Sequence, residues 1–347
     1  MVKRFGNLWD KVIAEENIRL SYEQARLGKG KKYNVRRFNR NVEGNLKKIR
    51  ESLINKTFTT ANYSMKTVYE PKKRVIYILP FNPDRIVQHA IMNVIIPIWE
   101  SLFIEESYAC RENKGMHKGS LKTMEYIRRN KYCLKCDISK FYPSINHEIL
   151  KKIIRRKIKD ENVLWLLDDI IDSFEGETNT PIGNFTSQWF GNLYLNELDQ
   201  FVRHELKIRD YLRYCDDFCF FHNDKKVLNE VAAKIRQFCA DKLKLRLSKC
   251  DLFPVSRGVD FLGYRHFPGY ILLRKSTAKR TRRRLKKAVI ALKNHKITAE
   301  QFRSTVASYL GWMRWARTYN LRVKLDIEKL AEASKDARNA DEILARL

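Results

Sequence analysis

The sequence predicts an α+β fold, in which a body of mixed strands and helices is followed by a helical, basic C-terminal segment. Strand-like and helix-like patterns alternate through the first 270 residues, whereas the residues from Ser276 onward show only helical periodicity. Hydrophobic residues make up 44% of the chain, with 13 Gly and 8 Pro, which is typical of a packed protein rather than a disordered one. A length of 347 residues suits two or three linked substructures.

The N-terminal part is predicted to be helical and then to change to strands. Residues 8–50 read as two amphipathic helices joined by the Gly-Lys-rich stretch 28–32, and ten basic residues against one Glu lie between Arg26 and Arg50. Residues 57–79 are strand-like, with Arg74 near the start of the apolar run that ends there. Asn82-Pro83-Asp84 then resembles a helix start, with Asp84 in the first turn.

The middle of the chain alternates between strands and helices. The apolar run 86–103 is interrupted by polar residues and Pro97, so we expect a core helix and not a membrane span. In order, the remaining predictions are a loop at 115–119, a helix at 121–129, a strand at 132–138, helices at 147–159 and 186–206, a hairpin at 211–221, a helix at 226–242, short strands at 245–253 and 260–265, and the helical tail.

The charge of the chain narrows its binding partners. Lys and Arg number 69 against 40 Asp and Glu, a net charge of +29. For so basic a protein, binding to a polyanion is electrostatically favourable, and the polyanion is either nucleic acid or an anionic membrane surface. No segment reads as a basic amphipathic helix with a free apolar face and no core to pack against, which argues against binding to a membrane surface.

The termini and cysteines indicate the compartment. The first ten residues contain no apolar signal segment, so secretion is not indicated. Seven scattered cysteines suggest reduced thiols inside a cell, and we expect a cytoplasmic protein. Cys133 and Cys136 fall on a predicted strand, where residues three apart point to opposite faces. They are therefore expected to be small buried residues and not zinc ligands.

Two groups of acids lie beside apolar strands. Asp137 ends the strand 132–138, and Asp216-Asp217 lies at the tip of the predicted hairpin. Such carboxylates carry a desolvation cost unless a positive charge compensates, and a pair of Mg²⁺ ions would do so while supporting an in-line displacement. The alternative is that Asp216-Asp217 is only a polar β-turn.

The acids belong to an ordered series of motifs that resembles the reverse transcriptases. Tyr214-Cys-Asp-Asp217 is similar to their YxDD box, and Asp137-Ile-Ser-Lys-Phe-Tyr142 to their first palm segment. Further matching segments occur in family order: Arg74; 84–90; 108–111 with Lys114 and His117; Ser248-Lys249; 261–264; and 308–312. The resemblance covers roughly residues 69–325. It implies a right-hand polymerase with fingers and palm, built from an antiparallel sheet plus helices, and a helical thumb.

One segment departs from most of the family. Where most reverse transcriptases have Pro-Gln-Gly followed by Ser-Pro, this chain has Pro181-Ile-Gly183 and Ser187-Gln188. This form resembles the reverse transcriptases of diversity-generating retroelements. That resemblance implies copying of a template-repeat RNA into cDNA with frequent errors opposite adenine, for mutagenic retrohoming, together with a small basic accessory variability protein. Arg74 and Ile182 match positions that the subfamily links to low fidelity.

The resemblance assigns the catalytic centre. Asp137, Asp216 and Asp217 would form the catalytic, metal-binding triad, and the carbonyl of Ile138 would add a ligand. The cofactor would be two Mg²⁺ ions, for which Mn²⁺ can substitute. Tyr142 would be the steric gate against a 2′-hydroxyl; its alternative is a core ring.

Five further residues are expected around the incoming nucleotide. Lys72 and Arg74 would hold the triphosphate, or else be solvated charges at a strand edge. Ile182 offers only shape where other family members offer hydrogen bonds, so base-pair discrimination would weaken, typically by ~1–3 kcal/mol. Gln188 would contact the template or the sugar, or cap the helix. Lys249 would donate a proton to pyrophosphate, or be a solvated lysine.

A last group is expected to bind nucleic acid. Between Phe261 and Ala299 there are twelve Lys or Arg and no acid, which suits a thumb that grips an A-form duplex through its phosphates. The aromatic residues that follow, among them Trp315 and Tyr319, fit a helix-bundle core. The candidate contacts are Arg111, Lys114, His117, Gly263, Arg282, Arg283, Arg284, Lys286 and Lys287.

The sequence thus predicts an RNA-directed DNA polymerase with three parts: a basic helical extension (1–56), fingers and palm (57–270), and thumb and tail (271–347). The expected partners are template RNA, the RNA/cDNA duplex, dNTPs and an oligomer of the accessory protein, in a bacterial cytoplasm. The alternatives are an intron-type or phage-defence reverse transcriptase, or a non-catalytic RNA-binding scaffold of the same fold.

Overall fold

The computed structural model describes residues 4–69 and 73–347, and its chain divides into two units. The first comprises Met1–Asn113, Lys135–Phe218 and Asn229–Cys250, and the second Lys114–Leu134, Cys219–Leu228 and Asp251–Leu347. The chain therefore passes between the units several times.

Helices and short strands form the architecture in the described part of the chain. The helices are α1 (Trp9–Ile13), α2 (Glu15–Arg26), α3 (Tyr33–Phe38), α4 (Val42–Ile54), α5 (Ile86–Glu100), α6 (Met116–Arg129), α7 (Phe141–Ser144), α8 (His147–Arg155), α9 (Glu161–Asp172), α10 (Phe185–Phe201), α11 (Lys225–Leu243), α12 (Lys275–Lys293), α13 (Ala299–Arg314), α14 (Tyr319–Lys324), α15 (Ile327–Ser334) and α16 (Ala340–Arg346). The strands are β1 (Ser64–Val68), β2 (Arg74–Ile78), β3 (Tyr132–Ile138), β4 (Tyr211–Tyr214), β5 (Asp217–His222), β6 (Leu247–Pro254), β7 (Val259–Phe261), β8 (Tyr264–Phe267) and β9 (Tyr270–Leu273).

The strands form three sheets. The strands β1 and β2 pair as an antiparallel ribbon with Val68 opposite Arg74, and a four-stranded sheet has the order β4-β5-β3-β6. The strands β7, β8 and β9 form an antiparallel meander. Leu262 and Gly263 connect β7 to β8 with φ of 55° and 83°, as a two-residue hairpin turn requires. The predicted α+β class is confirmed.

The first unit is built around an apolar helix. In α5 the side chains of Ile86, Val87, Ile91 and Ile95 are fully buried, so this segment is the core helix that its polar interruptions predicted. It packs against α2 and α10. Among the residues that the structure describes, no helix has both the length and the apolar character needed to cross a membrane.

The C-terminal helices have a core of their own within the second unit. Leu285, Leu292, Phe302, Val306 and Ile343 are buried there, in a cluster contributed by α12, α13, α15 and α16. In α12 the buried Thr281 and Leu285 recur four residues apart, and the arginines between them are exposed. The helix therefore has one packed stripe and one basic face.

Several predicted boundaries were wrong. The N-terminal segment contains four helices, α1 to α4, where two were expected. The helix α6 begins at Met116, inside the segment expected to be a loop, and α8 ends at Arg155 instead of continuing to residue 159. The helix α9 and the strand β9 were not predicted at all.

Candidate active site

The backbone of the first unit brings the three predicted acids together. Asp137 lies near the end of β3, Asp216 lies in the turn after β4, and Asp217 begins β5. The strands β5 and β3 are neighbours in the sheet, and the backbone N–H of Ile138 donates to the carbonyl of Asp216 over 3.2 Å. Cys215 has a φ of 53°, so a left-handed residue turns the chain between Tyr214 and Asp216.

Asp137 and Asp217 each have a protein partner. Ser248 Oγ donates to Asp137 Oδ2 over 2.7 Å, and Lys135 Nζ lies 3.0 Å from Asp217 Oδ2. Burial raises the pKa of Asp217 to about 6, although Lys135 opposes the shift. Among the described residues, no three His, Cys, Asp or Glu side chains are gathered closely enough to form a ready metal cluster.

The chemistry of the site nevertheless fits a divalent cation. Asp217 Oδ1 is buried without a hydrogen-bond partner, which is costly unless a ligand supplies the missing interaction. Carboxylate oxygens on adjacent strands are the hard donors that Mg²⁺ prefers. The residues that would hold it are Asp137, Asp216 and Asp217, with the carbonyl of Ile138.

A buried arginine supports the turn that carries the acids. Arg213, in β4, is fully buried, and its Nη1 donates to the carbonyl of Cys215 over 3.1 Å. Its Nε and Nη2 bind both carboxylate oxygens of the equally buried Asp199, at 2.8 and 2.6 Å. Burial lowers the pKa of Arg213, but its charge and hydrogen bonds with Asp199 raise the pKa by more, so the net shift is upward. Sequence reasoning missed this pair, because the distance along the chain gives no sign that the two residues meet.

The side chain of Tyr142 lies against the same turn. Its hydroxyl contacts the Cys215 thiol, and burial is the main reason that the pKa of Tyr142 is raised. Cys215 also shares a hydrogen bond with Cys110, which lowers the pKa of Cys110 to about 7. A Cβ on Gly191 of α10 would lie 3.2 Å from the Tyr142 ring, so glycine lets this helix approach closely. The ring is neither fully buried nor part of a purely apolar core.

The Pro181-Ile-Gly183 loop is joined to β2 through its backbone. The N–H of Tyr77 donates to the carbonyl of Ile182 over 2.8 Å. Gly183 has a φ of 131°, and a Cβ there would overlap the carbonyl oxygen of Tyr77. Arg74 is exposed at the start of the same strand, and Lys72 lies outside the described residues.

The start of α10 is capped, but not by Gln188. Gln88 Oε1 accepts from the N–H of Phe185 over 3.1 Å, and Ser187 Oγ donates to the carbonyl of Pro181 over 2.8 Å. Gln188 is exposed one turn into the helix. The capping alternative was therefore wrong, and Gln188 keeps only the predicted contact with template or sugar. Lys249 is also exposed, on β6.

Arg111 is largely engaged within the protein. Its side chain is only 8% exposed, its Nε lies 2.8 Å from Glu100 Oε2, and its Nη1 donates to the carbonyls of Ile104 and Ser107. These bonds hold Nε and Nη1 within the protein, which gives Arg111 a structural role. Its contact with nucleic acid stays a prediction.

The other nucleic-acid candidates belong to the second unit. His117 stacks on Trp315 with ring centroids 4.2 Å apart, and Lys114 lies just before α6. Gly263 lies in the β7–β8 turn, where a Cβ would be 3.0 Å from the Trp312 ring. The remaining candidates are all exposed on α12: Arg282, Arg283, Arg284, Lys286 and Lys287.

The comparison with protein families agrees with this geometry. The family described as "Reverse transcriptase (RNA-dependent DNA polymerase)" matches residues 65–266, which include all three aspartates and the loop at Ile182. The chain belongs to this family. The motif-based assignment to the reverse transcriptases is thus confirmed, whereas the diversity-generating subtype is not decided by it.

Individual relatives are distant. The chain is 26% identical to Protein YkfC of Escherichia coli over 54% of its own length and 61% of the relative's. It is 25% identical to the Retron Ec73 reverse transcriptase of Escherichia coli, covering 56% of this chain and 62% of that one. It is 28% identical to the Group II intron-encoded protein LtrA of Lactococcus lactis, covering 46% and 28%. These matches span less than two thirds of each relative.

A solved structure supports the fold alone. The apo telomerase of Candida tropicalis superposes with a TM-score of 0.53 at 13% identity, covering 79% of this chain and 57% of that one. The polymerase fold expected from the motifs is confirmed by this similarity.

Proposed function

We propose that the protein is an RNA-directed DNA polymerase that joins nucleotides at Asp137, Asp216 and Asp217. The observation that carries the proposal is the meeting of these acids on neighbouring strands, with the unpartnered Asp217 Oδ1 buried beside them. Bound Mg²⁺ would activate the primer hydroxyl and stabilise the leaving pyrophosphate. The residues of the chain orient the acids, through Ser248 on Asp137 and Lys135 on Asp217.

Tyr142, Arg74 and Gln188 are assigned to the substrate. The Tyr142 ring lies against the turn that carries Asp216, where a bulky side chain would meet the 2′-position of a ribonucleotide. The exposed Arg74 and Gln188 are free to reach triphosphate and sugar or template, respectively. Lys249 is assigned to the pyrophosphate, and template RNA and dNTPs are the proposed substrates.

Primer extension tests the catalytic assignment. The purified chain is incubated with an RNA template, a DNA primer, dNTPs and either Mg²⁺ or Mn²⁺, and product length is measured. We expect Asp216→Asn/Asp217→Asn to abolish extension, and Asp241→Asn, an exposed acid on α11, to leave it unchanged. Equal extension by the wild type and the double variant would refute the assignment. Absence of extension by all proteins would favour the non-catalytic scaffold.

A second, finer proposal is low-fidelity copying of a template-repeat RNA, as in diversity-generating retroelements. It is favoured by the loop at Ile182, whose backbone is bound to the strand that begins with Arg74. An aliphatic side chain there provides no hydrogen bond for checking base-pair geometry. The proposal includes a basic accessory protein and a bacterial cytoplasmic setting.

Sequencing of the cDNA tests this finer proposal. We expect wild-type errors to be concentrated opposite template adenine and Ile182→Gln to reduce them. Ile78→Gln, the same exchange at an exposed position of β2, is the matched control and should have no effect. Faithful copying by the wild type would favour the intron or phage-defence type instead. Purification with co-expressed flanking RNA would identify the bound template.

A further inference from the structure

The predicted aromatic core of the C-terminal helices is only partly a core. Phe302 is fully buried in the helical cluster, but Trp315 is 40% exposed and Tyr319 is 69% exposed. A third ring, Tyr270 at the start of β9, is also 40% exposed. The three rings lie in the second unit, where bulky side chains at the surface require an explanation.

Two adjoining grooves in the second unit connect these rings. The first has a volume of about 560 Å³ and is lined by Tyr270, Trp315, Arg128, Arg314 and Arg317, among others. The second, of about 540 Å³, shares Tyr270 and Arg317 with it and extends to Tyr319. Together they form one aromatic and basic surface, which we call the ring groove.

Two rings of the groove are held rigidly by stacking. His117 lies parallel to Trp315 at 4.2 Å and within hydrogen-bond distance of the Tyr264 hydroxyl, at 3.3 Å. Phe267 stacks on Tyr270 at 4.8 Å. Each ring is thus supported on one side and partly exposed, so little conformational entropy is lost when a flat ligand stacks on it.

The backbone around Trp315 is fixed as well. The N–H of Arg317 donates to the carbonyl of Ile271 over 2.7 Å, and Thr318 Oγ1 donates to the carbonyl of Met313 over 2.8 Å. The loop between α13 and α14 is therefore tied to β9 and to the end of its own helix. The groove is preformed by these bonds.

The charge of the ring groove is positive. Arg128, Arg314 and Arg317 are exposed and make no ion pair with an acid in the described part of the chain. The acid of the first groove, Glu125, is already bound by Lys122 and Arg129, at 2.8 and 3.1 Å. An anionic ligand with flat rings could stack on the aromatic side chains and bind the arginines at the same time.

We propose that the ring groove binds an unpaired RNA segment, with bases stacked on Trp315, Tyr270 and Tyr319 and phosphates held by the arginines. Unpaired bases expose the π-faces that such platforms use, whereas the bases of a duplex are covered by their neighbours. The choice of RNA rests on the proposed function, since the family copies RNA. An unpaired DNA strand has the same chemistry, and the experiment distinguishes the two.

Binding is measured without dNTPs, so that failure of catalysis does not affect the result. Fluorescence anisotropy is followed with a labelled oligouridylate RNA, the DNA of the same sequence, and a duplex. We expect Trp315→Ala/Tyr319→Ala to raise the Kd for the RNA by about ten-fold or more. Tyr33→Ala, which removes a first-unit ring about as exposed as Tyr319, is the control and should leave Kd unchanged.

The arginines are tested by salt dependence. For a single strand, the slope of log K against log salt falls in magnitude by about 0.7 for each phosphate that the protein no longer neutralises. Arg314→Gln/Arg317→Gln should therefore reduce the slope by about 1.4, twice that value, whereas Arg236→Gln on α11 should not change it. An unchanged slope in the double variant would overturn the assignment of these arginines to phosphates.

A second readout protects against loss of structure. Trp315→Phe keeps a stacking ring and should retain binding, and 4-thiouridine RNA should form photo-crosslinks within the ring groove. Crosslinks confined to other segments would overturn the proposal, as would an equal loss of duplex binding in the ring variants. Ring-dependent binding of DNA but not of RNA would overturn the choice of RNA.

Discussion

The buried pair of Arg213 and Asp199 should determine the stability of the first unit more than any surface ion pair. Changing Asp199→Asn keeps the shape of the side chain but leaves the guanidinium of Arg213 charged, with no compensating acid. Both side chains are 0% exposed, so water cannot replace the lost interaction. Removing one partner of such a pair costs about 3–5 kcal/mol.

The hydrogen bonds around the pair set the expected result of the double change. In Asp199→Leu/Arg213→Met no charge remains buried, so most of that penalty should disappear. Recovery is incomplete because Asp199 also accepts from the Tyr211 hydroxyl over 2.7 Å and Arg213 donates to Ser107 Oγ over 3.1 Å. Each group left without its partner costs about 1–2 kcal/mol. The coupling between the two sites should therefore be about 2 kcal/mol or more.

Urea unfolding followed by tryptophan fluorescence measures these free energies. Arg19→Met, which breaks the exposed pair with Glu43, is the control and should leave the midpoint unchanged. Primer extension is measured in parallel, because Arg213 donates to the carbonyl of Cys215 beside the acids. The cycle also includes the single variants Asp199→Leu and Arg213→Met. A loss below about 1 kcal/mol in both of them, or strictly additive effects in the double variant, would refute the reasoning.

Three further perturbations have defined outcomes. Gly183→Ala places a Cβ on the Tyr77 carbonyl oxygen at a φ of 131°, and urea unfolding should show a loss of about 2–4 kcal/mol. Burial is the main cause that lowers the pKa of His89 from 6.5 to about 4, so as the pH falls the unfolded chain is protonated at His89 before the folded chain is. The free energy of unfolding should therefore decrease between about pH 6.5 and pH 4, by at most about 3 kcal/mol. In His89→Gln this contribution to the pH dependence of stability should be absent. Iodoacetamide should alkylate Cys110 with a midpoint at about pH 7, and Cys215→Ala should raise that midpoint, as measured by mass spectrometry.

The acids and their strands could be predicted because the signal is local. Asp137 lies near the end of a strand that is apolar except for Lys135, and Asp216 and Asp217 interrupt a largely apolar hairpin. The strand-like periodicity and the break in polarity were therefore enough to locate these acids. Their identity as a set came from the order of the motifs. The resulting strands, 132–138 and 211–214, agree with β3 and β4 as observed.

The parts that sequence could not supply depend on contacts between distant segments. Gln88 caps α10 from a position 97 residues earlier, and Arg111, in the loop before α6, pairs with Glu100 at the end of α5. The polar side chains of both residues are equally compatible with ligand binding when read along the chain. The helix α9, with Asp160 as its N-cap, carried its own start signal, which was overlooked.

The aromatic residues of the tail show a further limit of periodicity. Spacings of three and four residues predicted a buried stripe, and Phe302 follows that pattern. The helix α13 ends at Arg314, so Trp315 and Tyr319 lie beyond the stripe and leave the core. A small difference in where a helix stops thus separates packing residues from surface residues.

The backbone bond between Tyr77 and Ile182 separates the main chain of this loop from the side chain at position 182. Because the main chain of the loop is fixed by this bond and by the close approach at Gly183, the side chain at position 182 can be exchanged without refolding its surroundings. Under the proposal that Ile182 sets base-pair discrimination, selection could therefore adjust copying accuracy through a single codon. The error rate would then be separable from the ability to polymerise.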